Sequence, residues 1–397
     1  MLHWLPVLVG SGIFLMWAVK LIPALRYVRT HHLEQFVARS PEPAEWPLLS
    51  VIVPARNEGA SIEQGLRSLL GGDYPRLEVI AIDDRSTDQT GEIMDRLSGE
   101  DQRLRVIHIE ELPEGWLGKN HAMQRGGEAA SGEFILFTDG DILFAPGALR
   151  DSIRVVLQDR LDHLAMYPQM IIHTAAEGAL AEFFGFMFLL GTSSWNVATG
   201  DRRSYAGIGA FNLVRTETYQ RLGGHTRLRL EVLDDVRLGQ MFKDNGGRAQ
   251  LLIGGEAVRV RWQNSLWGMI RGLEKNAFSW VGYSLPYLIF VLVMLSVLVY
   301  GPFMGVIFFH DARSIPYWGT LFLMHAGFAE CSREIQGSGR GWPWLIFGAA
   351  TFCYAYARSC WITLSQQGVR WRETFYPLEQ LRGEQYLKTR SEGNKTC

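Results

Sequence analysis

Three acidic clusters hold most of the chemistry available to this chain: Asp83 and Asp84 in "AIDDRSTDQT", Asp139 and Asp141 in "FTDGDILF", and Asp234 and Asp235 in "EVLDDVRLGQMF". Carboxylates one or two residues apart repel each other unless positive charge or N–H donors offset them. A divalent cation is one resolution, because Mg2+ and Mn2+ accept carboxylate oxygens together with substrate phosphates. A polar turn or a helix N-cap is the other, since aspartate is ordinary material in both. The choice depends on whether the chain brings the clusters together.

The elements around them argue that it does. "LLSVIVPA" (Leu48 to Ala55) is a short continuous apolar run, and "ASIEQGLRSLL" follows with helical spacing and a Ser61/Gln64 capping pair. "LEVIAIDD" is a second strand and "STDQTGEIMDRL" a helix opening on an N-cap. "LRVIHIE", the helix "KNHAMQRGGEAA" and "EFILFTDGD" repeat the pattern. Buried strands alternating with helices predict an α/β domain with a mostly parallel sheet, in which ligands bind outside the carboxyl ends of the strands. Asp83 and Asp84 end the second strand, Asp139 and Asp141 the fourth, and Glu58 follows the first, so these acids fall on one edge.

The rest of the chain points to a membrane. Formal net charge is -2 over 397 residues, which gives no basic field for nucleic acid. Apolar residues gather at the two ends. "LPVLVGSGIFLMWAVKLIPALRYV" (Leu5 to Val28) is long enough to cross a hydrocarbon core, which takes roughly 20 residues. Its basic flank follows it, so it reads as an uncleaved anchor with the remainder of the chain cytoplasmic, and Lys20 is expected to snorkel toward that flank. Further apolar runs cover Tyr283 to Phe309, Ile315 to Ala329 and Trp342 to Leu364. Three full crossings would place the basic tail outside, so the "YGPF" at Gly301 and Pro302 is read as the bend of a re-entrant segment, leaving the tail cytoplasmic. The resulting plan is an anchor at 1–30, a catalytic domain at 48–267, an interfacial helix at 268–282, membrane helices at 283–365 and a basic cytoplasmic tail at 366–397, in an inner (cytoplasmic) membrane. The cysteines at 331, 353, 360 and 397 have no CxxC spacing and support neither zinc nor a disulfide framework.

No GxGxxG follows the first strand and no GxxxxGK[ST] occurs, so neither a dinucleotide turn nor a P-loop is present. What remains is a phosphate site made by Mg2+ or Mn2+ on carboxylates. In that order and spacing, "VIVPARNE", "AIDDRSTDQT", "FTDGD" and "LDDVRLG" resemble the family 2 inverting glycosyltransferases. "GWLGKNHA", "GIGAFNLVRTETYQRLGGH", "GLEKN" and "GVRWRETFYPLEQLR" are similar to the membrane-anchored branch that includes ceramide glucosyltransferase and bacterial hopanoid and carotenoid lipid glycosyltransferases. The resemblance covers about Ser50 to Trp262.

It implies a Rossmann-like GT-A nucleotide-diphosphosugar domain carrying N-terminal and C-terminal transmembrane helices. It also implies roles. Asp84, with Asp83 beside it, would meet the base and ribose of the nucleotide, and Pro54, Ala55 and Glu58 would line the same pocket. Asp139 and Asp141 would form the metal pair, with Asp141 the direct ligand, and Lys119 would add a second cation to the phosphates unless it is simply solvated. An acceptor hydroxyl needs a general base opposite the departing diphosphate. The family pattern gives that role to the second acid of the Asp234 and Asp235 pair, although both also suit a helix N-terminus. Processive members carry (Q/R)xxRW where this chain has "VRVRW", so Val258 favours transfer of a single sugar over polymerisation.

The acceptor is expected to be a membrane lipid. "ALAEFFGFMFLLGTSSW" (Ala179 to Trp195) would lie in the interface plane or else be an ordinary core helix, and "QNSLWGMIRGLEKNAFSWVGYS" mixes tryptophans with cations as interfacial helices do. Two rivals stand beside this reading: a processive polysaccharide synthase, and a non-catalytic scaffold that keeps the fold. The second should have lost the carboxylates that this chain retains.

Overall fold

The computed structural model describes residues 4–337 and 341–383; residues 384–397 of the expected tail, Cys397 among them, lie outside the described residues. In chain order α1 (Leu5–Thr30) and α2 (Leu33–Val37) precede β1 (Leu49–Ala55), α3 (Ile62–Leu70), β2 (Leu77–Asp84), α4 (Thr90–Glu100), β3 (Leu104–Ile109) and α5 (Gly118–Ala129). Then come β4 (Phe134–Phe137), β5 (Ile142–Phe144), α6 (Ala148–Asp159), β6 (His163–Met170), α7 (Ala175–Thr192), β7 (Asn212–Arg215), α8 (Thr216–Arg221), α9 (Asp234–Asp244) and β8 (Ala249–Val260). The chain continues through α10 (Leu266–Trp280), α11 (Leu285–Phe308), α12 (Ile315–Gln336), α13 (Leu345–Gln366), β9 (Gly368–Trp371), β10 (Thr374–Pro377) and α14 (Leu378–Gly383).

These elements divide into two compact units. Of the described residues, one unit is built on a sheet and takes 31–171, 196–261 and 379–383; the other is helical and takes 4–30, 172–195, 262–337 and 341–378. The segment around α7 therefore leaves the sheet unit and returns to it.

In the sheet unit the strand order is β3-β2-β1-β4-β7-β6-β8-β5. β1, β2, β3 and β4 run parallel, as do β6 and β8; only β7 and β5 run against the rest. β1 is almost wholly apolar because both of its faces are covered, as parallel sheets require; its one polar residue, Ser50, is buried and hydrogen-bonded to Glu78 and the Gly132 N–H. Val51 and Val53 enter one core with Leu66, Met94 and Leu136. Ile52, between them, enters the other with Ile80, Met123, Phe137 and Met241. Pro54 is tolerated in this central strand because β1 pairs with β4 only as far as Ile52, so no ladder bond toward β4 is missing there.

Two helix starts differ from expectation. The Ser61/Gln64 pair does not cap α3; the Ser61 hydroxyl turns back to the carbonyl and carboxylate of Glu58. α4 begins at Thr90 rather than near Ser86, because residues 85–89 form a loop of their own in which Asp88 accepts from the Thr90 N–H at 3.0 Å.

In the helical unit, α1, α7 and α11 are long and apolar enough to cross a membrane. α12 and α13 occupy the two later apolar runs; α12 ends in Glu330, Arg333 and Glu334. The expected re-entrant bend in α11 is not present. The helix runs unbroken with Pro302 inside it. Proline removes the bond that the Leu298 carbonyl would have accepted, and the indole N–H of Trp17 supplies it instead at 3.0 Å. For α7 the burial matches the core-helix alternative. It is mostly apolar, with Glu177 and Glu182 its charged residues, and is buried among its neighbours, Phe183 against Phe328 and Phe352, and Phe186 against Phe328 and Trp17. Lys20 does not snorkel toward Arg26; it donates to the Leu190 carbonyl and the Ser193 hydroxyl at the end of α7, where exposed carbonyls favour a cation. The start of the tail is folded, β9 pairing antiparallel with β10.

Candidate functional site

Strand order locates the site. From β1 the chain moves outward to β2 and β3, then returns to the other side of β1 as β4, so the switch point lies between the carboxyl ends of β1 and β4. Glu58 follows β1, and Asp139 and Asp141 follow β4. Gly140 between them packs beneath α3: a Cβ at Gly65 would come within 2.3 Å of the Gly140 carbonyl, and one at Gly140 within 2.9 Å of Ile62. The backbone contact makes glycine at 65 the requirement for α3 to sit this close to the Asp-Gly-Asp turn.

The loops after β1 and β2 are tied into one surface. Asn57, with φ +54°, donates its N–H to the Ser86 hydroxyl at 3.1 Å and accepts from the Thr87 N–H at 2.8 Å. The Glu58 and Gly59 N–H groups donate to Thr90 and Asp88. On this surface Asp84 is held by Arg85 in a two-pronged pair at 2.7 and 3.0 Å. Asp83 accepts from the Ser86 N–H at 3.2 Å and lies 3.0 Å from Nδ1 of His108.

The second cluster forms where α5 meets the segment before α9. The Asn120 amide, fully buried, donates to the carbonyls of Leu228 and Glu231, and the Leu117 N–H to that of Arg229. These bonds fix the first turn of α5 against the segment leading to Asp234. Lys119 consequently places its ammonium 2.7 Å from Asp139 Oδ1 and 3.7 Å from Asp234 Oδ2. Burial works against its charge, but Asp139, Asp234 and Asp235 together hold its proton more firmly than usual. Asp235 accepts from the Gly209 N–H at 2.9 Å and the Val236 N–H at 2.8 Å. Burial, then the neighbouring Asp234, push its carboxyl up to about 6, with Lys119 opposing. Burial, then Asp139 and Glu58, push Asp141 up to about 7. Acids from β1, β4 and α9 thus feel one another across the site.

Residues 50–199 match the model of glycosyl transferase family 2. The chain carries a glycosyl transferase family 2 domain. Among curated proteins similar to this chain, the 4,4'-diaponeurosporenoate glycosyltransferase of Staphylococcus aureus is 26% identical over 253 residues, covering 62% of this chain and 65% of its own. The match thus spans just under two thirds of that relative. Among solved structures, a mannosyltransferase from Pyrobaculum calidifontis in complex with GDP-Man and Mn2+ superposes with a TM-score of 0.50 at 18% identity, over 89% of this chain and 99% of its own. That likeness supports a GT-A type fold.

Within the family 2 domain the structure gathers Asp139, Asp234 and Asp235 around the Lys119 ammonium, with Asp141 and Glu58 adjoining and Asp83 and Asp84 at the end of neighbouring β2. Pro54 and Ala55 form the end of the strand beneath them. Among the described residues no three His, Cys, Asp or Glu side chains make a ready-built cation cage. A two-carboxylate donor set is nevertheless what a hard cation sharing its coordination with phosphate and water uses. Asp141 and the second oxygen of Asp139 fit it, since Lys119 takes only Asp139 Oδ1.

Sequence reasoning missed the groups that aim these acids. Gly209 presents its N–H to Asp235, and a Cβ at Gly207 would collide with the Asp235 carbonyl at 1.8 Å. The "GIGAFN" stretch signals this only through its glycines, because a backbone donor leaves no mark on residue type. Arg85 and His108, the cations of the other cluster, were equally invisible. Val258 lies fully buried in β8, opposite Phe144 of β5.

Proposed function

We propose that this glycosyltransferase moves one sugar from a UDP-linked donor to a membrane lipid, with inversion at the anomeric carbon and with Mg2+ or Mn2+ as cofactor. The observation that carries the reading is the arrangement around Lys119. One cation stands between Asp139, on the side of the paired acids after β4, and Asp234 with Asp235 at the head of α9, so a diphosphate side and a base side face each other across it.

Asp139 and Asp141 would hold the metal, which when bound supplies positive charge to the leaving diphosphate. Lys119 adds charge from the protein itself, already in place before reaction. Asp83, Asp84, Pro54, Ala55 and Glu58 form the wall that takes the nucleotide. Asp235 is the general base: its carboxyl is oriented by two backbone N–H groups and pushed toward neutral pH, where it can take a proton from the acceptor hydroxyl. Asp234 keeps Lys119 in place and raises the basicity of Asp235.

A lipid acceptor is supported by α1, α7 and α11, helices long and apolar enough for a bilayer, and by a relative whose name specifies a carotenoid acid acceptor. On this reading the catalytic domain is cytoplasmic at an inner membrane and α10 lies at the interface, with Trp267 and Trp280 among its exposed residues. Val258 offers no polar group to a growing polymer end, which favours single transfer. The test is to incubate full-length purified protein with a panel of nucleotide sugars and a total lipid extract, then analyse products by mass spectrometry. One lipid species heavier by one sugar is expected. Consumption of no nucleotide sugar, or a polymer product alone, would remove the reading.

A further inference from the structure

His108, beside the proposed nucleotide wall, touches two acids at once. Its Nδ1 is 3.0 Å from Asp83 Oδ2 on β2, and its Nε2 is 3.0 Å from Asp95 Oδ1 on α4. The register explains the first contact, since Asp83 is the direct partner of His108 across the β2/β3 pair. The second arises because the first turn of α4 packs closely here: a Cβ at Gly91 would lie 2.7 Å from Asp83 Oδ2 and 3.5 Å from His108 Cε1. His108 is faced by Asp83 from β2 and by Asp95 from α4, while on its own strand Arg105 is engaged with the Ala129 carbonyl.

A neutral imidazole has one N–H and one lone pair. Between two carboxylates it can satisfy one and must turn a lone pair toward the other. The imidazolium donates to both, so this geometry belongs to the charged form. We propose that His108 is a positioning residue for donor binding: protonated, it clamps Asp83 to α4 and holds that carboxylate in register for the nucleotide, and deprotonated, it releases one of the two acids. The inference rests on the donor-site reading above. Hydrogen bonds to Asp95 and then Asp83 hold the His108 pKa above its ordinary 6.5, so the release comes at a higher pH than a free imidazole would give. Because the ring is half exposed, solvent screens the pair and the effect is modest.

The sign follows directly. Donor affinity contributed by the clamp is complete below the ordinary histidine pKa and is lost as pH rises through the raised one. Full-length protein and His108→Gln, which is uncharged at every pH, are compared for binding of UDP with Mn2+ by calorimetry from pH 6.0 to 8.5. The wild-type dissociation constant is expected to rise about fivefold more than that of His108→Gln over this range. Parallel curves for the two proteins would overturn the proposal. Separately, the His108 resonance, assigned by its disappearance in His108→Gln, is expected to titrate above 6.5 and to fall back in Asp95→Asn; titration at or below 6.5 in the wild type overturns the clamp. If UDP binds at no pH while His108 still titrates high, the donor-site reading has failed and takes the positioning role with it.

Discussion

The acids at the end of β2 and the acids around Lys119 share one edge of the sheet but not one electrostatic condition. At β2 each carboxylate has a basic partner, Arg85 for Asp84 and, shared with Asp95 of α4, His108 for Asp83. Around Lys119 a single ammonium serves Asp139, Asp234 and Asp235, while Asp141 sits beside Asp139 and Glu58. The first set is balanced by the protein alone. In the second, burial and then neighbouring carboxylates push Asp141 and Asp235 up despite Lys119, and a divalent metal would supply further positive charge there. A recognition surface can be finished in advance, whereas a reacting centre keeps part of its balance open for the substrate to complete.

If that contrast is real, the two sets must respond differently to substitution. Asp141→Ala should reduce sugar transfer by about 10³-fold or more and weaken Mn2+-dependent UDP binding, since metal-assisted charge stabilisation is worth several kcal/mol. Asp235→Asn should lose about 10² to 10⁴-fold in transfer while binding UDP almost normally, as removal of a general base does. Radiolabelled transfer and calorimetry separate the two, and full activity in either variant would cancel its assignment. Lys119→Met should cost about 10²-fold. Arg85→Gln, its counterpart in the balanced set, should cost about tenfold or less; equal losses would dissolve the distinction.

Two pH experiments probe smaller effects. Asp235, pushed up to about 6, must be ionised to act, so log kcat/KM should fall as pH drops through 6, by about tenfold per unit, and the limb should vanish in Asp235→Asn. Asp141 is raised from 3.8 to about 7, so the folded state keeps a proton that the unfolded chain releases. Its contribution to stability is present below 3.8 and is lost as pH climbs through 7. Bound Mn2+ would compete with that proton. The rise in Tm on adding Mn2+ should therefore be larger at pH 8 than at pH 5.5, measured by scanning calorimetry; a larger rise at the acid end would exclude Asp141 as a ligand.

Sequence revealed those parts of the molecule whose cause is local. β1, β2 and β4 were readable because a strand covered on both faces is mostly apolar, and the acid clusters because each fits within a few residues. What stayed hidden depends on partners far along the chain. Asp235 owes its orientation to a backbone N–H that no side chain advertises. α7 has the length and composition of an interfacial helix, and only the presence of α12 and α13 makes it a core element. The bend predicted at Pro302 failed for the same reason, because the group that rescues the Leu298 carbonyl stands 281 residues earlier.

That rescue bears on how shortened chains will behave. The first helix is more than a tether: its indole is the splint that lets a proline sit in a straight rod. Cut away the first thirty residues and α11 is left with a bare carbonyl, which in hydrocarbon would have to find water or buckle the rod. Loss of activity in such a truncation would then reflect a damaged spine as much as a lost anchor. Replacing Trp17 by phenylalanine, with the leash intact, is the cleaner cut.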